Sequence, residues 1–65
     1  MKLKYLENLI KQKGFRKSFI ANKLDIEPST FSNKLHGKYA FSADEIKILI
    51  ELLELNKEEL YSLFI

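Results

Sequence analysis

The sequence predicts an all-α fold of five short helices in a single domain. Apolar residues recur three and four positions apart along almost the whole chain, which is the spacing of one face of an α-helix. One proline and two glycines interrupt this pattern, and no segment shows the alternation that is typical of a β-strand. A chain of 65 residues is the size of one compact domain. The predicted helices span about residues 3–13, 16–24, 28–36, 43–54 and 57–64.

The first two predicted helices carry apolar residues on one face. In the first helix these residues are Leu3, Leu6, Leu9 and Ile10. Gly14 follows where a left-handed residue commonly ends a helix. The second helix turns Ala21 and Leu24 toward the core, together with either Phe19 or Ile20.

Pro28 separates the second predicted helix from the third. Its ring disfavours the α conformation at Glu27, and its fixed φ angle suits the first turn of a new helix. Phe31 and Leu35 lie four positions apart and therefore face the core together. Gly37 ends the helix.

The fourth and fifth helices have the clearest start signals. Ser42 and Glu45 have the spacing of a capping box, in which each side chain accepts a hydrogen bond from the other residue's backbone N–H. Phe41 and Ile46 occupy the positions of the hydrophobic staple that often accompanies such a box. The fifth helix repeats both devices, with Asn56 and Glu59 as the box and Leu55 and Leu60 as the staple.

Charge is divided unevenly along the chain. Residues 1–38 contain nine Lys and Arg against three Asp and Glu, a net charge of +6, whereas residues 39–65 contain two against six, a net charge of −4. These two values sum to the overall charge of +2. The asymmetry is the first indication of function. The lysines of the first helix are interpreted as a solvated face, and they are Lys2, Lys4, Lys11 and Lys13.

Composition excludes several classes of protein. The chain has no cysteine, so it forms neither disulfides nor a cysteine-based zinc site, and we expect a reducing compartment or an oligomer. Its apolar runs, such as Ile48 to Ile50, reach only three residues, which predicts a cytoplasmic protein without a membrane span. A single histidine and the absence of metal-ligand spacings argue against a metal centre. Ser42, Asp44 and Glu45 are explained as a helix start, so we expect no enzyme, no cofactor and no small-molecule ligand.

Residues 17–37 combine two short helices with a tight turn between them. The small side chain of Ala21 permits close approach of another helix, and Asp25 can adopt the positive φ angle of a turn. Ile26 then fills the core below that turn. Phe31 and Leu35 form an apolar seam, while the polar residues of the third helix stay outside. This pattern predicts a helix-turn-helix.

Three segments of the chain occur in a distinctive order. FIANKLDI forms the second helix and turn, PSTFSNKLHGK the third helix, and FSADEI the start of the fourth. Over essentially the whole chain this order resembles the Cro/repressor-type, or Xre-like, helix-turn-helix family, especially its short phage Cro-like members. The resemblance implies a five-helix lambda-repressor-like DNA-binding domain. The chain departs from the family where Asp25 replaces the usual Gly, Arg16 and Glu27 replace Ser or Thr caps, and Lys17 replaces a Gln that commonly contacts DNA.

The resemblance implies that the third helix enters the DNA major groove. Nine residues from Pro28 to His36 give about 13 Å of helix, against a groove about 12 Å wide. By motif position, the residues expected to read bases are Pro28, Ser29, Ser32, Asn33 and His36. Asn33 is the leading candidate, because a carboxamide binds the N6/N7 edge of adenine with two hydrogen bonds. For His36 three roles stay open: reading a base, contacting a phosphate, or finishing the helix.

A second set of residues is expected at the DNA backbone, where contacts position the protein rather than select a sequence. These residues are Lys17, Thr30, Lys34, Lys38 and Tyr39. For Lys34 the target is either a guanine edge or a phosphate.

The acidic C-terminal part carries more apolar side chains than one core-facing stripe requires. We expect those of the chain end to form a homodimer contact, and they are Leu60, Tyr61, Leu63, Phe64 and Ile65. The alternative is that this tail folds back over the first helix. A two-fold dimer places two recognition helices about 34 Å apart on a palindrome.

The sequence therefore favours a sequence-specific repressor that binds double-stranded DNA as a dimer and is regulated through its concentration. Occupying an operator is a role that the family resemblance implies. Two alternatives stay open. The helix-turn-helix can serve as a protein-interaction adaptor or antirepressor without DNA binding, or as the DNA-binding antitoxin of a toxin–antitoxin pair.

Overall fold

The computed structural model describes residues 1–65 and contains five α-helices and no strands, so the predicted all-α class is confirmed. The helices are α1 (Leu3–Gln12), α2 (Lys17–Lys23), α3 (Pro28–Leu35), α4 (Ala43–Leu52) and α5 (Lys57–Phe64). All predicted boundaries agree within two residues. The largest difference is at α4, which ends at Leu52 because Glu54 takes a left-handed φ of 49°. A glutamate gives no sequence signal for that conformation.

Helices α1 to α4 all end in the same backbone motif. The residue two positions after each helix is left-handed, and these residues are Gly14, Asp25, Gly37 and Glu54. Each donates its N–H to a carbonyl three residues earlier, and the next residue donates to a carbonyl five residues earlier, as in a Schellman motif. The expected positive φ of Asp25 is confirmed at 58°. Reversal of the chain after each helix therefore depends on one left-handed residue.

Both predicted capping boxes are present. The Ser42 hydroxyl accepts the Glu45 N–H at 3.1 Å, and the Glu45 carboxylate accepts the Ser42 N–H at 2.9 Å. Asn56 and Glu59 make the same reciprocal pair at 2.8 and 3.1 Å. No side chain caps the N-termini of α1, α2 and α3.

All five helices contribute side chains to one core, in which α3 packs on α1 and α2 and α5 packs on α1. Phe31 of α3 is its largest fully buried side chain, and the Phe41 ring packs edge-on against it at 5.9 Å. Of the two candidates in α2, Ile20 is buried and Phe19 is exposed. The remaining fully buried large side chains are Leu6, Ile10, Leu49, Leu53 and Leu63.

The first and last helices of the fold are in contact. The Lys2 N–H donates to the Leu63 carbonyl at 2.8 Å, and α1 contacts α5 along the same side. An ion pair of 3.2 Å between Lys13 and Glu59 links the end of α1 to the start of α5. The C-terminal helix therefore folds back over α1, as one of the two sequence alternatives predicts.

Candidate nucleic-acid interface

Helices α2 and α3 pack directly against each other around the left-handed Asp25. Ala21 is fully buried, and its carbonyl accepts the Ile26 N–H at 3.0 Å across the turn. Ile26 packs against the core below. Pro28 is the first residue of α3, and Glu27 before it is extended with ψ 148°. The local geometry expected for residues 17–37 is therefore present.

The outer face of α3 is polar. Pro28, Ser29 and His36 are exposed, while Ser32 and Asn33 are partly exposed. None of the hydrogen bonds made by side chains in the structure involves these five residues. Positions 29, 32, 33 and 36 share one helix face because they are three and four residues apart. Their donors and acceptors are consequently available to an external partner, as base reading requires.

Lys38 departs from the pattern of the other helix ends. At the equivalent position after α1, α2 and α4 the chain has Phe15, Ile26 and Leu55, and each packs against the core. Lys38 is exposed instead, although its N–H makes the same bond, to the Asn33 carbonyl at 2.9 Å. Its ammonium lies 5.7 Å from the ring centre of the exposed Tyr39. The structure thus presents a free cation and an aromatic ring directly after α3.

Lys17 and Thr30 lie at the periphery of the same region. The Lys17 ammonium contacts the Glu7 carboxylate at 3.0 Å, and its side chain is 40% exposed. The hydrogen bond and the charge of Lys17 lower the pKa of Glu7. Thr30 is partly exposed in a polar groove between α2 and α3 that also contains Ser18 and Asn22. Lys17 therefore forms a partly exposed ion pair with Glu7 and is not a free cation.

Lys34 differs from the expectation that it is free to reach DNA. Its ammonium lies 2.6 and 2.8 Å from the two carboxylate oxygens of Glu45, and its side chain is only 15% exposed. It also lies 5.9 Å from the centre of the Phe41 ring. The cation is consequently engaged within the protein, and the predicted contact of Lys34 with the DNA backbone requires this ion pair to open.

The role of Glu45 is only partly visible in the sequence. Its capping box is visible in the sequence, but its partner Lys34 lies eleven positions away across a loop, and no local pattern reveals such a contact. Partial burial by itself raises the pKa of Glu45, but hydrogen bonds from Lys34 and Ser42 and the charge of Lys34 outweigh it. The net pKa is therefore lowered. Glu45 is held as a carboxylate.

The predicted dimer residues divide into two groups. Leu63 is buried in the chain's own core, with 1% exposure, and its assignment to a dimer contact is thereby corrected. Leu60 is partly buried. Tyr61, Phe64 and Ile65 are exposed, although all three are large and apolar or aromatic. Of the five predicted residues, only these three are exposed enough to meet a second molecule without disturbing the fold.

A second exposed apolar area lies between α2 and α4. Phe19 stacks on Phe15 at 6.1 Å and stays exposed, with the Lys23 ammonium 5.3 Å from its ring centre. Lys23, Ile48 and Leu52 line a shallow groove on this side. This area lies outside every set of functional residues that the sequence predicts.

The chain has a five-helix, all-α fold with a polar helix face followed by an exposed cation. Comparison with known proteins finds no match among protein-family models, curated proteins or solved structures. No group of three or more His, Cys, Asp or Glu side chains is arranged to hold a metal ion. None of the helices is long and apolar enough to span a bilayer.

Proposed function

We propose that this chain is a sequence-specific repressor of the helix-turn-helix type that binds double-stranded DNA, with α3 as its recognition helix. One observation carries the proposal: α2 and α3 pack around the left-handed Asp25 and leave a polar face of α3 without internal hydrogen bonds. The resemblance of the chain to the Cro/repressor-type family supports the same interpretation. Repression follows from occupying an operator and excluding polymerase or a competing regulator.

The exposed groups of α3 suit the edges of base pairs in the major groove. Its eight residues span about 12 Å, which matches the groove width of about 12 Å. The Asn33 carboxamide offers a donor and an acceptor for adenine, and the hydroxyls of Ser29 and Ser32 suit either kind of base pair. His36, at the C-terminal end of α3, is exposed for either a base or a phosphate.

Phosphate contacts come from outside α3. Lys38 and Tyr39 stand three and four positions after the end of α3 and are exposed, and in this proposal they contact the sugar-phosphate backbone on one side of the groove. Lys17, at the start of α2, exchanges its contact with Glu7 for a phosphate. The net charge of +6 on residues 1–38 favours approach to a polyanion.

The protein acts as a two-fold dimer in this proposal. The exposed side chains of Tyr61, Phe64 and Ile65 supply a self-complementary apolar contact. Two copies of α3 related by that axis read half-sites about 34 Å apart, which corresponds to a palindromic operator.

The decisive experiment measures binding to random duplex DNA as a function of salt, followed by selection of an operator from a random pool. Log affinity for random duplex is expected to fall by about 0.9 per phosphate neutralised for each unit of log salt. Asn33→Ala is expected to lose about 1–3 kcal/mol at one position of each half-site. Lys38→Ala is expected to weaken all sequences alike, and Lys57→Ala, which removes the same charge from α5, serves as its control. Absence of binding at low salt contradicts the proposal.

The dimer is tested separately by sedimentation. Phe64→Asp is expected to give a monomer, while Ser62→Asp introduces the same charge at a neighbouring exposed position of α5 and leaves the dimer intact. Equal sedimentation of parent and Phe64→Asp contradicts the proposed contact. Leu63 is unsuitable for this test because its replacement disrupts the monomer core.

A second candidate function is a protein-interaction adaptor. The exposed side chains of Phe19 and Ile48 favour it, because exposed apolar surface commonly marks protein contact sites. An adaptor shows no binding to random duplex at low salt, so the same titration separates the two functions. A partner that is lost on Phe19→Ser with DNA binding absent identifies the adaptor.

A further inference from the structure

Lys34 is the only charged residue within α3, whose sequence is PSTFSNKL. It directly follows Asn33 along the chain. An unpaired lysine on a recognition helix attracts any phosphate, whatever the sequence of the DNA. The disposition of this one cation therefore decides whether α3 presents a charged or a neutral surface.

The structure engages that cation from several directions. Both oxygens of Glu45 lie within 2.8 Å of the Lys34 ammonium, and the two side chains are 15% and 12% exposed. Glu45 is held in turn by the Ser42 N–H at 2.9 Å. The Phe41 ring covers the pair from the side, and it is itself packed on Phe31. The start of α4 thus keeps Lys34 in a fixed position.

A groove beside Lys34 connects it with the segment that follows α3. The residue lines a shallow apolar groove of about 300 Å³ together with Gly37, Tyr39 and Phe41. Tyr39 belongs to the exposed segment that follows α3 and carries Lys38. An ammonium released from Glu45 therefore lies beside the segment proposed to contact phosphates.

We infer that Glu45 is a specificity-determining residue that withholds the single charge of α3 from the DNA backbone. The inference rests on the proposed function. With Lys34 paired inside the protein, α3 contributes hydrogen bonds to base edges and no sequence-independent attraction. Affinity for non-specific DNA depends almost wholly on contacts between cations and phosphates, and a non-specific complex can shift to make more of them. In an operator complex the base contacts fix the position of the protein. A released Lys34 therefore strengthens non-specific binding more than operator binding. Since a genome offers a large excess of non-specific sites, this restraint favours the operator.

Glu45→Gln tests the inference. Glutamine at this position keeps the capping box with Ser42 but removes the charge that holds Lys34. The salt dependence of random-duplex binding is expected to steepen by about 0.9 in slope, and affinity at 0.1 M salt to rise about 5–10-fold. Operator affinity rises less, so the ratio of operator to random-duplex affinity falls. A purely structural role instead weakens both kinds of binding.

Two further variants isolate the cause. Glu51→Gln makes the same change of net charge on the same helix, but Glu51 is exposed and takes part in no ion pair. It is expected to leave the salt slope unchanged. Lys34→Met combined with Glu45→Gln is expected to return the slope to that of the parent, since no ammonium is left to release.

A measurement on the unaltered chain completes the test. In ¹⁵N spectra of the lysine ammonium groups, the Lys34 signal is expected to exchange slowly with water and to stay unchanged when DNA is added, whereas the Lys38 signal shifts. A shift of Lys34 comparable with that of Lys38 overturns the inference, as do identical salt slopes for Glu45→Gln and Glu51→Gln. Either result leaves DNA binding intact. Failure of the parent to bind duplex DNA at low salt overturns the proposed function and this inference together.

Discussion

Replacing Leu63 by alanine is expected to destabilise the domain severely, although the residue is third from the C-terminus. Leu63 is 1% exposed, and Leu→Ala at buried sites costs about 2–5 kcal/mol through lost transfer energy and the cavity left behind. A terminal helix can settle partly into the space, so we expect a loss of about 2–3 kcal/mol, at the lower end of that range. The whole domain is stable by only about 3–10 kcal/mol, at 0.05–0.15 kcal/mol per residue.

Ile65→Ala is the matched control, because it removes the same number of carbon atoms two positions away. Ile65 is 69% exposed, so its removal is expected to cost about 0.5 kcal/mol. Thermal unfolding followed by circular dichroism is expected to show a Tm lower by about 10–20 °C for Leu63→Ala and by about 2–4 °C for Ile65→Ala. Melting at two protein concentrations separates core packing from dimer formation. Melting points of the two variants within about 3 °C of each other refute the proposed burial of Leu63.

Three other properties are testable by unfolding. Ser42→Ala removes one half of the capping box and is expected to cost about 0.5–2 kcal/mol in urea unfolding, while Ser62→Ala on the exposed side of α5 stays within about 0.5 kcal/mol. Gly14→Ala is expected to cost about 1–2 kcal/mol from its φ of +79° alone, since an added Cβ meets no atom within 4 Å; a stability equal to the parent's contradicts that conformation in solution. Acid lowers the free energy of unfolding. The carboxylates responsible have pKa values lowered from that of an ordinary glutamate in the folded chain, and they are Glu7, Glu45 and Glu59. Their contribution to stability is complete above the pKa of the unfolded chain and is lost as pH falls through the lowered pKa of the folded chain. The free energy of unfolding, measured between about pH 6 and 2, is therefore expected to fall steadily from near pH 5 downward. A free energy of unfolding that does not change with pH contradicts the ion pairs of these three glutamates with Lys17, Lys34 and Lys13.

Helix starts and stops that depend on neighbouring residues were predictable from the sequence. The box of Ser42 and Glu45 is a contact between residues three positions apart, and Pro28 acts on the residue directly before it. Gly14 likewise identifies a left-handed turn without reference to the rest of the chain. The left-handed Glu54 was not predictable, because packing of Leu55 against the core favours a turn that the glutamate itself does not favour.

Contacts between distant segments were beyond prediction from periodicity. The face of α2 could be placed only to within one residue, and the core selected Ile20 over Phe19. Lys34 and Glu45 meet because the loop between α3 and α4 brings the start of one helix to the end of the other. Apolar residues near the end of the sequence predict a dimer contact for Leu63, whereas in the fold α5 lies on α1 and buries this side chain.

The hydrogen bond between the Lys2 N–H and the Leu63 carbonyl has a consequence for the order of folding. Together with the contact of α1 with α5, it closes a loop that contains the other three helices. Closing a long loop costs conformational entropy before its contacts stabilise the chain, whereas α2 and α3 are neighbours along the sequence. We therefore expect the α2–α3 pair to form early and the α1–α5 contact to form last, so that Leu63→Ala raises the unfolding rate and leaves the folding rate nearly unchanged. A folding rate that falls in proportion to the lost stability contradicts this order.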